Sequence, residues 1–129
     1  MSFSILLVDD SRITRSIIIK ALKMAQIPIK EIYEAANGRE GLEQIKNHEI
    51  DLVFADINMP IMNGIEMIEK IYQNEQLAYL KIIIISTEGS LERIKQLKAK
   101  GVEGYIQKPF TPEQIKETIN EVMKNGITN

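Results

Sequence analysis

Residues 52–64 read LVFADINMPIMNG: four unbroken apolar residues stop at Asp56, and a Met-Pro pair and an Asn-Gly pair follow. A continuous apolar run this short suits a strand covered on both faces. The Asn-Gly pair reads as a tight turn. Asp56 then has two readings. Polar residues commonly end strands, and a carboxylate presented at the rim of a sheet can serve as a nucleophile.

Outward from this stretch the strand pattern recurs. Phe3–Val8 (FSILLV) and Lys81–Ile85 (KIIII) are buried-strand runs, Lys30–Ala35 (KEIYEA) alternates more weakly, and Val102–Gln107 (VEGYIQ) is weaker again. Helical spacing fills the intervals. Ile13, Ile17, Ala21 and Met24 share a face, as do Leu42 and Ile45 after Gly38, and Ile68, Ile71 and Tyr72 after Gly64. Leu91, Ile94 and Leu97 follow a Ser90 cap. Ile115, Ile119, Val122 and Met123 follow Thr111-Pro112-Glu113, where Thr caps and Pro suits the first helical position. Each stripe is read as a core face. Five strand–helix units in succession predict an α/β fold, a doubly wound five-stranded parallel sheet with helices on both faces. One domain over residues 1–129 is expected, without linker, repeat or output domain, and with residues 125–129 fraying.

A chain of 129 residues, 44% hydrophobic and 26% charged, has apolar side chain enough for one core. It has no cysteine and one histidine, His48, which argues against disulfides, thiolate or multi-histidine metal sites and a Ser-His-Asp triad. Sixteen basic and 18 acidic residues give a net charge of −2, too balanced for a nucleic-acid or anionic-membrane surface. The N-terminus lacks a basic region, its apolar run is cut at Asp9, and no run approaches the ~18 apolar residues of a membrane span. A soluble, cytoplasmic monomer is predicted, with no nucleic acid and no membrane insertion. The basic run Arg93, Lys95, Lys98 and Lys100 reads as a solvated helix face.

In open parallel sheets, ligands bind outside the carboxyl ends of the strands. There the sequence puts Asp9-Asp10, Asp56, Ser86-Thr87-Glu88 and Lys108-Pro109. Each is ordinary alone: Asp caps or turns, Lys is a surface charge. Together, three carboxylates repel one another and call for a cation. Hard oxygen donors suit Mg2+, and Lys108 supplies a fixed counter-charge. A metal, a lysine and a hydroxyl around one Asp suit a phosphoryl group, with the Asp attacking phosphorus.

Four stretches, LLVDD, FADINMPIMNG, IIIIST and YIQKPF, occur in order between Ile5 and Val122. Together they resemble the signatures of the receiver domain of two-component response regulators. The resemblance implies a flavodoxin-like (βα)5 fold with strand order 2-1-3-4-5, the order known for the chemotaxis receiver CheY. It makes Asp56 the phosphoacceptor. Mg2+ falls to Asp10 directly, to Asp9 largely through water, to Asp56, and to the backbone carbonyl of Asn58. Lys108 is the conserved lysine, followed by a cis Pro109; Ser86 is the hydroxyl switch and Tyr105 the aromatic switch. Gly64 is expected to adopt a backbone conformation that other residues resist. Thr87, where many relatives carry Ala, restricts access to the phosphoryl group, and Glu88 either helps hold or orient water there or is a solvated loop residue.

The same resemblance implies a sensor histidine kinase as donor and a signal through the fourth helix, fifth strand and fifth helix. Hydrolysis, with or without a phosphatase, resets the state. The chain is not expected to be an enzyme beyond its own phosphorylation and dephosphorylation. Its single domain, Glu88 two residues after Ser86, and Tyr105 are similar to CheY-type chemotaxis regulators, whose target is a flagellar motor switch protein. The rivals are a phosphorelay shuttle, a small Asp-nucleophile phosphatase and a flavin-binding module. Asn58 stands where such phosphatases place a second Asp, and Asp9-Asp10 would repel a flavin phosphate.

Overall fold

In a computed structural model of the protein, residues 2–124 are described. The fraying expected at 125–129 lies outside the described residues. Strands β1 (Phe3–Val8), β2 (Ile29–Ala35), β3 (Leu52–Ala55), β4 (Lys81–Ser86) and β5 (Gly104–Gln107) alternate with helices α1 (Arg12–Met24), α2 (Gly38–Asn47), α3 (Gly64–Gln73), α4 (Leu91–Ala99) and α5 (Pro112–Val122). All four strand pairings are parallel, and the order is β2-β1-β3-β4-β5. The flavodoxin-like expectation is met, order included.

Why the central strands read as unbroken apolar runs follows from the pleat, because successive side chains point to opposite faces. Leu6, Val8, Val53, Ala55, Ile82 and Ile84 feed the layer that packs against Met67, Ile68, Ile71 and Leu97 of α3 and α4. Their alternates Ile5, Leu7, Leu52, Phe54, Ile83 and Ile85 pack against Ile18, Leu22, Ile115 and Ile119 of α1 and α5. Each such fully buried side chain contributes about 1.5–3 kcal/mol. β2 lies at the edge, so its alternation is partial and only Ala35 is buried.

The helix starts follow capping chemistry. Side chains of Ser11, Asn37, Asn63, Ser90 and Thr111 each accept from a backbone N–H in the first turn that follows. Asn63 with Glu66 and Thr111 with Gln114 complete capping boxes. Asn63-Gly64 is therefore the start of α3 and not the turn that the pair predicts; the turn lies two residues earlier, around Ile61.

Four further expectations are corrected. In α1, Ile13 and Ile17 are 75% and 52% exposed and Met24 is also exposed, while Ile18, Ala21 and Leu22 are buried. The run Ile17-Ile18-Ile19 carries apolar side chains to two faces, so spacing alone admits either; docking onto β1 and α5 selects the second. Leu91 is exposed at the first turn of α4, leaving Leu97 as that helix's buried residue. β5 begins at Gly104 and not at Val102, although the N–H of Glu103 already donates to Ile82. β4 extends one residue further than predicted, to Ser86.

The register sets up one rim. Val8 pairs with Ala55, so Asp9 and Asp56 leave adjacent strands at the same level. Ser86 pairs with Gln107, so Lys108 emerges one residue beyond Ser86. Among the described residues, no helix is long and apolar enough to cross a membrane.

Candidate functional site

Asp56 follows the last residue of β3. Its N–H donates to the Val8 carbonyl at 2.9 Å, and its Oδ1 accepts from the N–H of Ile57 at 2.7 Å. Asp9 is buried and Asp10 is exposed. One carboxylate oxygen from each of Asp9, Asp10 and Asp56 lies within 4.8 Å of the other two. That spread is comparable with the roughly 4 Å across an octahedral Mg2+ shell, and the donors are all hard oxygens, so the residues fit such an ion.

Lys108 closes the cluster. Its Nζ donates to Asp9 Oδ2 at 3.0 Å and to Asp56 Oδ2 at 3.3 Å. Burial alone would lower the lysine pKa, but the bond to Asp9 and the charge of Asp56 outweigh it, and the net shift is upward. Lys108 therefore stays charged at neutral pH. Its N–H donates to the Ser86 carbonyl at 2.8 Å, and the Lys108-Pro109 peptide is cis, as the resemblance implied.

The backbone conformation expected of Gly64 is not found. Its φ is not in the left-handed region, whereas a Cβ on it would lie 2.0 Å from the carbonyl oxygen of Asp56. The residue must be glycine because the backbones touch. Its N–H donates to the Ile57 carbonyl at 2.8 Å, which pins the far end of the β3–α3 loop beside Asp56.

Ser86 is fully buried, and its Oγ accepts from the N–H of Glu88 at 3.2 Å. The carbonyl of Glu88 in turn accepts from the Tyr105 hydroxyl. Tyr105 packs against the α3–α4 side of the core. Its pKa is raised, chiefly by burial, with the charges of Glu88 and Asp56 adding to it against the bond to Ser86. The two switch candidates are thus joined through one residue of the β4–α4 loop. Thr87 is exposed beside them. Asn58 is exposed and lines a cleft of about 350 Å3 with Ile57, Glu88, Ser90 and Arg93. In the α4 basic run, Lys95 and Lys98 face solvent, and Lys100 pairs with Glu69 at 3.6 Å.

Sequence reasoning missed Arg15 and Glu34. Arg15 Nη1 donates to the carbonyl of Asp9 at 2.5 Å, and its Nε donates to Glu34 Oε1 at 2.9 Å. The available signal was spacing: Arg15 lies one turn before Ile18 and Ile19 and two before Leu22, on the buried side of α1.

Residues 5–120 match the family model described as response regulator receiver domain. The chain is 38% identical over 124 residues to a chemotaxis protein CheY homolog of Campylobacter jejuni, covering 95% of this chain and 93% of the relative. Its fold is similar to that of Vibrio cholerae CheY4, with a TM-score of 0.83, 33% identity and coverage of 95% and 99% of the two chains. It is also similar to a chain of the CheX-CheY-BeF3-Mg complex of Borrelia burgdorferi, with a TM-score of 0.85, 30% identity and coverage of 94% and 89%.

Proposed function

Because the chain belongs to the response regulator receiver family, we propose that it is a phosphorylation-activated switch, with Asp56 as phosphoacceptor and a sensor histidine kinase as donor. The observation that carries this reading is the ammonium of Lys108 bonded to both Asp9 and Asp56 at the edge of a three-carboxylate cluster. An Asp56 oxygen attacks phosphorus; the O–P bond forms as the P–N bond of the phosphohistidine breaks. The electron pair leaves with the imidazole, which takes up a proton. Asp9, Asp10, Asp56 and the Asn58 carbonyl would hold Mg2+, which when bound spreads the charge of the phosphoryl oxygens. Lys108, already at 3.3 Å from Asp56, is placed to pair with a phosphoryl oxygen once the carboxylate becomes an acyl phosphate. Attack by water reverses the modification and releases phosphate. No external substrate is turned over, so the chain is not an enzyme in the ordinary sense.

The hydroxyl of Ser86 donates to the phosphoryl oxygen, and Tyr105 follows. The hydrogen bonds running from Ser86 through Glu88 to Tyr105 support this coupling. The output face is α4, β5 and α5, with a soluble partner. The chemotaxis names of the relatives favour a flagellar motor switch protein over a phosphorelay partner. BeF3 resembles a phosphoryl group, so its presence with Mg2+ and CheX alongside the Borrelia CheY favours the same chemistry and a partner that engages the activated form, such as a phosphatase. The test is incubation with acetyl phosphate and Mg2+ followed by intact mass. One added phosphoryl group is expected, and none in Asp56→Asn; labelling that persists in that variant rejects the assignment.

A further inference from the structure

Asp9 is tied at every polar atom. Its N–H donates to the Ala35 carbonyl at 3.0 Å, Oδ1 accepts from the N–H of Ser11 at 2.8 Å, and Oδ2 accepts from Lys108 at 3.0 Å. Its carbonyl oxygen accepts from Arg15 at 2.5 Å. The first two ties are backbone groups, and Lys108 already has a role. Arg15 has none. Its side chain is only 13% exposed, and Glu34 of β2 braces it from the other side at 2.9 Å. A planar fork held at two edges is fixed in direction as well as in place.

The carbonyl that Arg15 holds belongs to the Asp9–Asp10 peptide. That unit is planar, so fixing its C=O also fixes the N–H and Cα of Asp10. Asp10 is exposed and lies between β1 and α1, outside both. Locking the peptide before it aims this carboxylate into the cluster. Charge alone gives Arg15 the opposite effect, because a cation near three carboxylates competes with Mg2+.

We propose that Arg15, braced by Glu34, is a positioning residue for Mg2+ capture: it locks the Asp9–Asp10 peptide so that Asp10 faces the ion. This rests on the metal-assisted phosphoacceptor reading above. The experiment is calorimetric titration of MgCl2 into the unphosphorylated full chain, with urea unfolding in the absence of metal beside it. Arg15→Gln is expected to bind Mg2+ about tenfold more weakly. Arg15→Lys keeps the charge but cannot span both Glu34 and the Asp9 carbonyl, so it falls between that variant and the wild type.

Unchanged or tighter Mg2+ binding by Arg15→Gln overturns the proposal. Tightening is the signature of charge removal alone, and lowered stability with unchanged binding is that of a purely structural tie. Should Arg15→Gln not fold, Arg15→Lys decides: equal charge with wild-type affinity also overturns it. A wild-type chain without Mg2+ affinity defeats the functional reading and the proposal together, whereas wild-type binding with unaffected variants defeats the proposal alone.

Discussion

Ile61 is an isoleucine in a conformation that isoleucine resists. Its φ is +67, and the N–H of Met62 donates to the Pro60 carbonyl at 2.7 Å, which makes Ile61 the central residue of a three-residue γ-turn. The loop is over-determined around it. Gly38 donates to the Met62 carbonyl at 2.8 Å, and Gly64 donates to Ile57 at 2.8 Å. Sparsely populated backbone at positive φ costs a residue with a Cβ about 1–3 kcal/mol, and β-branching makes it rarer still. Asn has no branch at Cβ and is several-fold enriched among the residues found at positive φ. The isoleucine returns little in exchange. It is 75% exposed, so truncation forfeits only about 0.5 kcal/mol of burial. Ile61→Asn is therefore expected to stabilise the fold by about 1 kcal/mol and to raise Tm by ~4 °C. Ile61→Val, which keeps the branch and hence the strain, is expected to stay within about 0.5 kcal/mol of wild type. Urea unfolding of the three proteins, with scanning calorimetry, checks both. An Asn variant no more stable than wild type, or a Val variant stabilised equally, refutes the strain argument.

Thr87 is exposed beside the buried Ser86, and on the proposed reading its branched side chain restricts access to the phosphoryl group. Thr87→Ala is expected to lose phosphate a few-fold faster after donor removal, followed by intact mass; equal or slower loss contradicts it. Lys108 bears on alkaline stability. Its folded pKa is raised above the ordinary value of 10.5, so its stabilising contribution is complete below that pH and is lost as pH rises through the folded value. Above about pH 10.5, urea-derived stability of the wild type should fall more steeply than that of Lys108→Met. Parallel slopes would show that the Asp9 and Asp56 contacts do not hold the proton.

The sequence alone determined the alternation of strand and helix, because the central strands are buried on both faces and so appear as unbroken apolar runs. It also determined which residues meet at the sheet rim, since in a parallel sheet every strand's carboxyl end lies on one side, and each candidate there is the last residue of a strand or one of the first three past it. Tertiary structure alone decided which face of α1 is core, because Ile17, Ile18 and Ile19 satisfy either choice and only docking against β1 and α5 separates them. It alone decided why Gly64 is a glycine, a matter of its distance to the Asp56 carbonyl eight residues earlier and not of its own dihedrals. And it alone joined Arg15 to the Asp9 carbonyl and Glu34: a charge on a helix has no partner until the neighbouring strand is in place.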